Sequence, residues 1–120
     1  MDKDTSIQEI KERIKRYCED RDWNQFHNPK ELAIGVITEA SELLEHFRFK
    51  SEKEIEEFFK DSKKRGEIED EMADVLYFLF RLAQKYDVDL SEAFERKMGK
   101  NEIKYPVEKA KGSNKKYTEF

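Results

Sequence analysis

Two segments constrain this chain more than any others: ELAIGVITEASELLEHF, residues 31–47, and EDEMADVLYFLF, residues 69–80. Each carries apolar residues at helical spacing, and each places an acid pair three residues apart beside that stripe. On a helical wheel with Glu39 at the origin, Glu42 falls about 60° to one side and His46 about 20° to the same side. Ala33, Val36, Ile37, Ala40, Leu43, Leu44 and Phe47 spread over the other flank. With Glu71 at the origin of the second wheel, Asp74 again falls about 60° away. Ile68, Met72, Val75, Leu76, Leu79 and Ala83 take the apolar flank. Two helices with the same wheel, packed along their stripes, are expected to bring both acid pairs together.

The rest of the chain reads as more helix. Thr5 and Gln8 form a capping-box pattern ahead of Ile7, Ile10, Ile14, Tyr17 and Cys18, a stripe expected to end near Asp22. RDWNQFHNP follows as a loop. Asn28, Pro29 and Glu31 then open the second helix, expected to run to about Phe47. Ser51 and Glu54 cap a short third helix with Ile55, Phe58 and Phe59. KDSKKRG, residues 60–66, reads as a charged turn before a long fourth helix to about Tyr86. Asp89 and Glu92 cap a fifth, which ends before Pro106. KGSNKKYTEF reads as an extended tail. No segment alternates as a strand would. The expectation is an all-α bundle of about four to five helices, one domain over residues 1–110 with a tail at 111–120.

Of the 120 residues, 37% are hydrophobic and 43% charged. That is apolar-poor for a globular domain, yet the apolar residues are clustered, so a homo-oligomer is expected to complete the core. A net charge of −4 supplies no bulk attraction to nucleic acid or an anionic membrane. Cys18 is the single cysteine, so neither a disulfide framework nor a thiolate metal site is expected. The longest apolar run, Val75 to Phe80, is far too short to span a bilayer. With no signal-peptide pattern, a cytoplasmic location is expected.

Four converging carboxylates repel one another and resist desolvation, so stability alone gives no reason to gather Glu39, Glu42, Glu71 and Asp74. A hard divalent cation removes the conflict: Mg²⁺ takes carboxylate and water oxygens and commonly joins substrate phosphates. Glu67, one turn before Glu71, is a candidate accessory ligand, whereas Glu52, Glu54, Glu56 and Glu57 read as a solvated face. A di-iron centre would need Glu-x-x-His on two helices, and neither acid helix has it.

These acids, with their surroundings, resemble the all-α nucleoside triphosphate pyrophosphohydrolase (MazG-like) superfamily. The flanking segments are closer to its dCTP pyrophosphatase-like branch. RDWNQFHNP matches that branch's RDWxQFHxP, TEASEL partly matches GExxEL, and EMADVLYFL matches ExxDVLxYL. KMGKNEIKYPVEKAKGSNKKYT matches KMxxNxxKYPVxxxxGSxxKYT. The similarity covers about residues 13 to 118.

The resemblance implies Mg²⁺-dependent hydrolysis of a nucleoside triphosphate to a monophosphate and pyrophosphate, with dCTP or its modified forms as the leading substrates. Glu39, Glu42, Glu71 and Asp74 match the metal ligands, and either Glu39 or Glu42 would act as general base. Trp23 and His27 match a loop that contacts the base. Phe49 stands where the branch has a tryptophan, and Phe78 where it has a tyrosine. Lys97, Asn101 and Tyr105 match positions that hold phosphates and sugar. Lys97 and Asn101 also share a helix face with Lys104. A homodimer or homotetramer is implied. Three alternatives remain open at this point: a pyrophosphatase of broad or non-canonical specificity, a helical nucleotide sensor without turnover, and a purely structural oligomerisation bundle.

Overall fold

The computed structural model describes residues 1–120, which form helices and turns with no strand. The six helices are α1 (Ile7–Asp20), α2 (Pro29–Glu45), α3 (Glu52–Phe58), α4 (Ser62–Lys85), α5 (Leu90–Lys104) and α6 (Val107–Ala110). Two compact units result, Met1–Asp87 and Val88–Phe120.

Side-chain caps start the helices as their sequences suggest, with one shift. Ser6, not Thr5, caps α1, its Oγ accepting from the Glu9 amide at 3.1 Å. Thr5 is still extended, closing a 3₁₀ turn at Asp2–Asp4, so the helix begins one residue later than expected. Asn28 accepts from the Glu31 amide at 2.8 Å and leaves Pro29 at the first helical position. Ser51 and Glu54 form a reciprocal capping box. α1 stops at Asp20, and Asp22 takes a left-handed φ of 54°.

KDSKKRG is a turn only at its start, Lys60 and Asp61. Asp61 caps α4 through the Lys64 amide, and SKKRG is already helical. Arg65 reaches Glu69 at 2.8 Å and Lys64 reaches Glu67 at 3.9 Å. These i,i+3 and i,i+4 pairs turn a charge run that looks like a turn into a helix start.

Within the first unit, α4 packs on both α1 and α2. Ile14, Cys18, Leu32, Ile68 and Ala83 are its buried apolar side chains. The packing face departs from the expected one. α2 presents Leu32, Gly35, Val36, Glu39, Leu43 and His46 to the inside, so Glu39, with Glu71 opposite, lies within the contact, while Glu42 and Asp74 stay exposed at its flank. The outer half of each apolar stripe is left exposed: Ile37 at 70%, Leu44 at 58% and Met72 at 55%, with Leu79 beside them. Gly35 explains the closeness, because a Cβ there would overlap the ring of Phe78 on α4. Glycine leaves the space that this ring fills.

In the second unit, Asp89 caps α5 by accepting from the Glu92 amide. Pro106 separates α5 from the single turn of α6, one helix more than expected. The last ten residues do not simply extend. Gly112 turns the chain at φ 76°, and Tyr117–Glu119 form a 3₁₀ turn. Tyr117 and Phe120 then pack edge-on against Tyr105 at 5.9 and 5.8 Å. Lys104 Nζ lies 4.8 Å from the centre of the Tyr117 ring.

Candidate active site

Close approach of α2 and α4 gathers the acids. Glu39, Glu42 and Glu71 each offer a carboxylate oxygen, and these atoms all lie within 4.8 Å of one another. Glu39 Oε2 and Glu71 Oε2 are buried without any hydrogen-bond partner. Buried carboxylate oxygens are normally satisfied, so two orphans in one cluster need an explanation. Burial, followed by the Glu42 hydrogen bond and charge and then Asp74 and Glu71, pushes the Glu39 carboxyl up to about 7. Glu71 is raised by burial, by Glu42 and by Asp74, with His46 acting in the opposite direction. Asp74 lies outside the close triad and is exposed, but its charge acts on Glu39 and Glu71, both half-buried. An all-oxygen donor set with unsatisfied lone pairs and crowded negative charge fits a hard divalent cation.

Basic groups border one end of this cluster. His46 Nε2 stands 3.9 Å from Glu71 Oε1, and Lys64 Nζ lies 2.9 Å from His46 Nδ1. Glu67 is occupied by its ion pair with Lys64.

Asp74 also lines a cavity of about 410 Å³ walled by Ile10, Arg13, Ile14, Tyr17, Trp23 and Tyr77. Tyr17 meets Trp23 edge-on at 5.6 Å and Tyr77 at 5.9 Å. Tyr77 Oη is 3.3 Å from the buried Cys18 Sγ, and burial together with that sulfur raises the phenol. Trp23 thus forms part of a concave aromatic wall beside an acid. Ile10, Ile14, Tyr17 and Tyr77 were not singled out as site residues. The α1 stripe signals a buried face, and a spacing pattern cannot show that part of that face borders a cavity.

His27 sits next to Trp23, with ring centres 6.4 Å apart, and is tied to α4. Arg81 Nε donates to His27 Nδ1 at 3.0 Å. Burial, then the charges of Arg81 and Lys85, hold the imidazole below its ordinary value. Phe49 and Phe78, also matched by resemblance, do not line this cavity. Phe49 is 90% exposed at φ 63°, under the guanidinium of Arg48. Phe78 packs on Gly35 and edge-on against Tyr77 at 5.0 Å. Lys97, Asn101 and Tyr105 belong to α5 and its C-cap in the second unit.

Comparison with known proteins identifies the family. The model of the MazG-like family matches residues 34–120. Mouse dCTP pyrophosphatase 1 is 36% identical over 115 residues, covering 96% of this chain and 68% of the mouse protein. The human protein of the same name is 34% identical over the same length and coverage. The crystal structure of a pyrophosphatase from Archaeoglobus fulgidus superposes with a TM-score of 0.76 at 38% identity, covering 82% of this chain and 91% of that one. By family model, by sequence and by fold, this chain belongs to the MazG-like family.

Proposed function

We propose that the protein is a Mg²⁺-dependent nucleoside triphosphate pyrophosphohydrolase that converts a deoxynucleoside triphosphate and water to the monophosphate and pyrophosphate. The observation that carries this reading is the triad of Glu39, Glu42 and Glu71 with two orphaned oxygens, beside an aromatic cavity that shares Asp74. Glu39, Glu42, Glu71 and Asp74 would hold Mg²⁺, which supplies charge neutralisation and Lewis acidity toward the phosphates. Glu39 or Glu42 takes the proton of the attacking water. A carboxyl poised near 7 suits that role for Glu39, and the exposed position of Glu42 suits it for the other. Trp23, with Tyr17 and Tyr77, offers the base a stacking surface. Lys97, Asn101 and Tyr105 hold the phosphates and sugar on the strength of the family resemblance.

dCTP and its 5-substituted forms are the leading substrates, since the mammalian relatives are dCTP pyrophosphatases. One observation favours a broader range. The cavity walls are mostly apolar or aromatic, and the Tyr77 hydroxyl is already engaged by Cys18. Stacking accepts any base, whereas discrimination needs free hydrogen-bonding groups. A homodimer or homotetramer is part of the proposal, because the outer apolar rows of α2 and α4 are uncovered in the monomer. Assay of a nucleoside triphosphate panel, reading phosphate after added pyrophosphatase with Mg²⁺ or EDTA, tests it. Mg²⁺-dependent pyrophosphate release from dCTP is expected. No release from any triphosphate would leave the nucleotide-sensor reading in its place.

A further inference from the structure

Arg81 is the largest fully buried side chain in the protein, only 1% exposed, and its three side-chain hydrogen bonds all go to neutral groups. A buried guanidinium normally sits against a carboxylate, because desolvating the charge is costly. Here Nε donates to His27 Nδ1 at 3.0 Å, Nη2 to Asn24 Oδ1 at 2.9 Å, and Nη1 to Gln84 Oε1. Two of these three acceptors lie on the RDWNQFHNP loop. One turn further along α4, Lys85 Nζ donates to the Asn24 carbonyl at 2.9 Å and to the His27 carbonyl. Two cations on one helix therefore hold both ends of the Asn24–Phe26 turn. Trp23 is the N-cap of that turn and a wall of the cavity that Asp74 borders.

We propose that Arg81 is a positioning residue that, with Lys85, clamps the Asn24–His27 loop to α4 and so sets Trp23 as the stacking wall of the nucleotide pocket. The clamp also fixes a tautomer. Because Arg81 Nε can only donate, His27 Nδ1 must accept, which leaves the ring proton on Nε2 of a neutral imidazole. The depressed His27 value agrees with this arrangement. α4 thereby carries three parts of the site on one rod: Glu71 and Asp74 for the metal, Tyr77 for the pocket, and Arg81 with Lys85 for the opposite wall.

This inference rests on the proposed activity only for its kinetic readout, because Trp23 is the single tryptophan and reports the loop without substrate. The variants are Arg81→Met, Asn24→Ala and, as control, Gln84→Ala, which removes an Arg81 acceptor on α4 itself without releasing the loop. Arg81→Met and Asn24→Ala are expected to shift Trp23 emission to longer wavelength and increase its quenching by acrylamide. They should raise the KM for dCTP by roughly tenfold with kcat changed about twofold or less, as misplacement of a binding wall predicts. Mg²⁺ is expected to raise the Tm of these variants and of the wild type alike. Gln84→Ala should change neither fluorescence nor KM. If Arg81→Met fails to fold, Asn24→Ala alone carries the test from the loop side. Unchanged emission and KM in folded Arg81→Met or in Asn24→Ala overturns the clamp, and so does an equal effect from Gln84→Ala. A wild type that turns over no nucleotide overturns the proposed activity instead, and the fluorescence still decides the clamp.

Discussion

Gly35 on α2 lies directly against the ring of Phe78 on α4, with no room for a methyl group between them. Glu39, one turn further along α2, and Glu71, two turns earlier on α4, come together in the same helix pair. Gly35→Ala gains about 1 kcal/mol of helix propensity. It also forces a shift in a packed helix pair, which typically costs about 1–3 kcal/mol. A lower Tm and a loss of Mg²⁺-dependent stabilisation are expected. Gly35→Ala/Phe78→Leu should recover part of both. A single alanine variant as stable as wild type, with intact metal response, would show that the close approach is not what gathers the acids.

Glu42→Gln and Asp74→Asn should each lower turnover by at least about a hundredfold, through loss of a metal ligand or base. Neither should unfold the protein. In EDTA both should be as stable as wild type or more so, because one of several crowded negative charges is gone. Marked destabilisation of both in EDTA would make these acids structural.

The metal-free protein should lose stability as pH rises from about 4.5 to 7. Glu39 is raised from 4.5 to about 7 in the fold. Over that window the folded state therefore binds more protons than the unfolded one, and stability falls with pH. Glu71 is shifted in the same direction. His27 is lowered and acts oppositely, its contribution being lost as pH falls. The difference between wild type and Glu39→Gln isolates the carboxyl. Tm curves in EDTA should converge toward pH 5, with the variant ahead at pH 8, and Mg²⁺ should reverse the ranking. A wild-type Tm that gains on the variant through this range in EDTA contradicts the burial of an ionised Glu39.

Light scattering should show at least a dimer at micromolar concentration. Ile37→Glu and Leu44→Glu place charge on the most exposed part of the α2 stripe and should shift the distribution toward monomer. A wild type that is monomeric throughout would mean that these rows have another use.

Trp23→Ala should lower kcat/KM by roughly tenfold to a hundredfold, since stacking is worth about 1–3 kcal/mol per base. Lys97→Ala should weaken all triphosphates alike. Equal kinetics for Trp23→Ala across the panel, with altered base preference in Lys97→Ala, would reverse the assignment of base and phosphate ends.

The helices and most caps were legible in the sequence because Asn28, Ser51 and Asp89 act locally, through amides three residues ahead. The acid pairs were legible because helical spacing fixes their angles. What could not be read was which side of each wheel turns inward. A stripe from Val36 to Ile37 is wider than one contact, and the choice depends on Gly35, whose meaning appears only opposite Phe78. Arg81 was equally hidden: a cation beside VLYFLF looks like the end of a buried run, and its two loop acceptors lie 54 and 57 positions away. Residues 62–66 were misread because a cluster of lysines and a glycine resembles a turn until Asp61 is seen to cap it.

α4 carries its acids, pocket wall and clamp on one uninterrupted rod, so their spacing cannot be edited piecemeal. Each residue adds about 1.5 Å of rise and 100° of rotation. A single insertion between Asp74 and Arg81 would swing every later group off its face, leaving acids without a pocket or a pocket without acids. Substitutions along this stretch can be absorbed one at a time, but its length cannot change. Evolutionary drift in this enzyme should therefore accumulate as side-chain replacement on α4 and as changes of length only outside it.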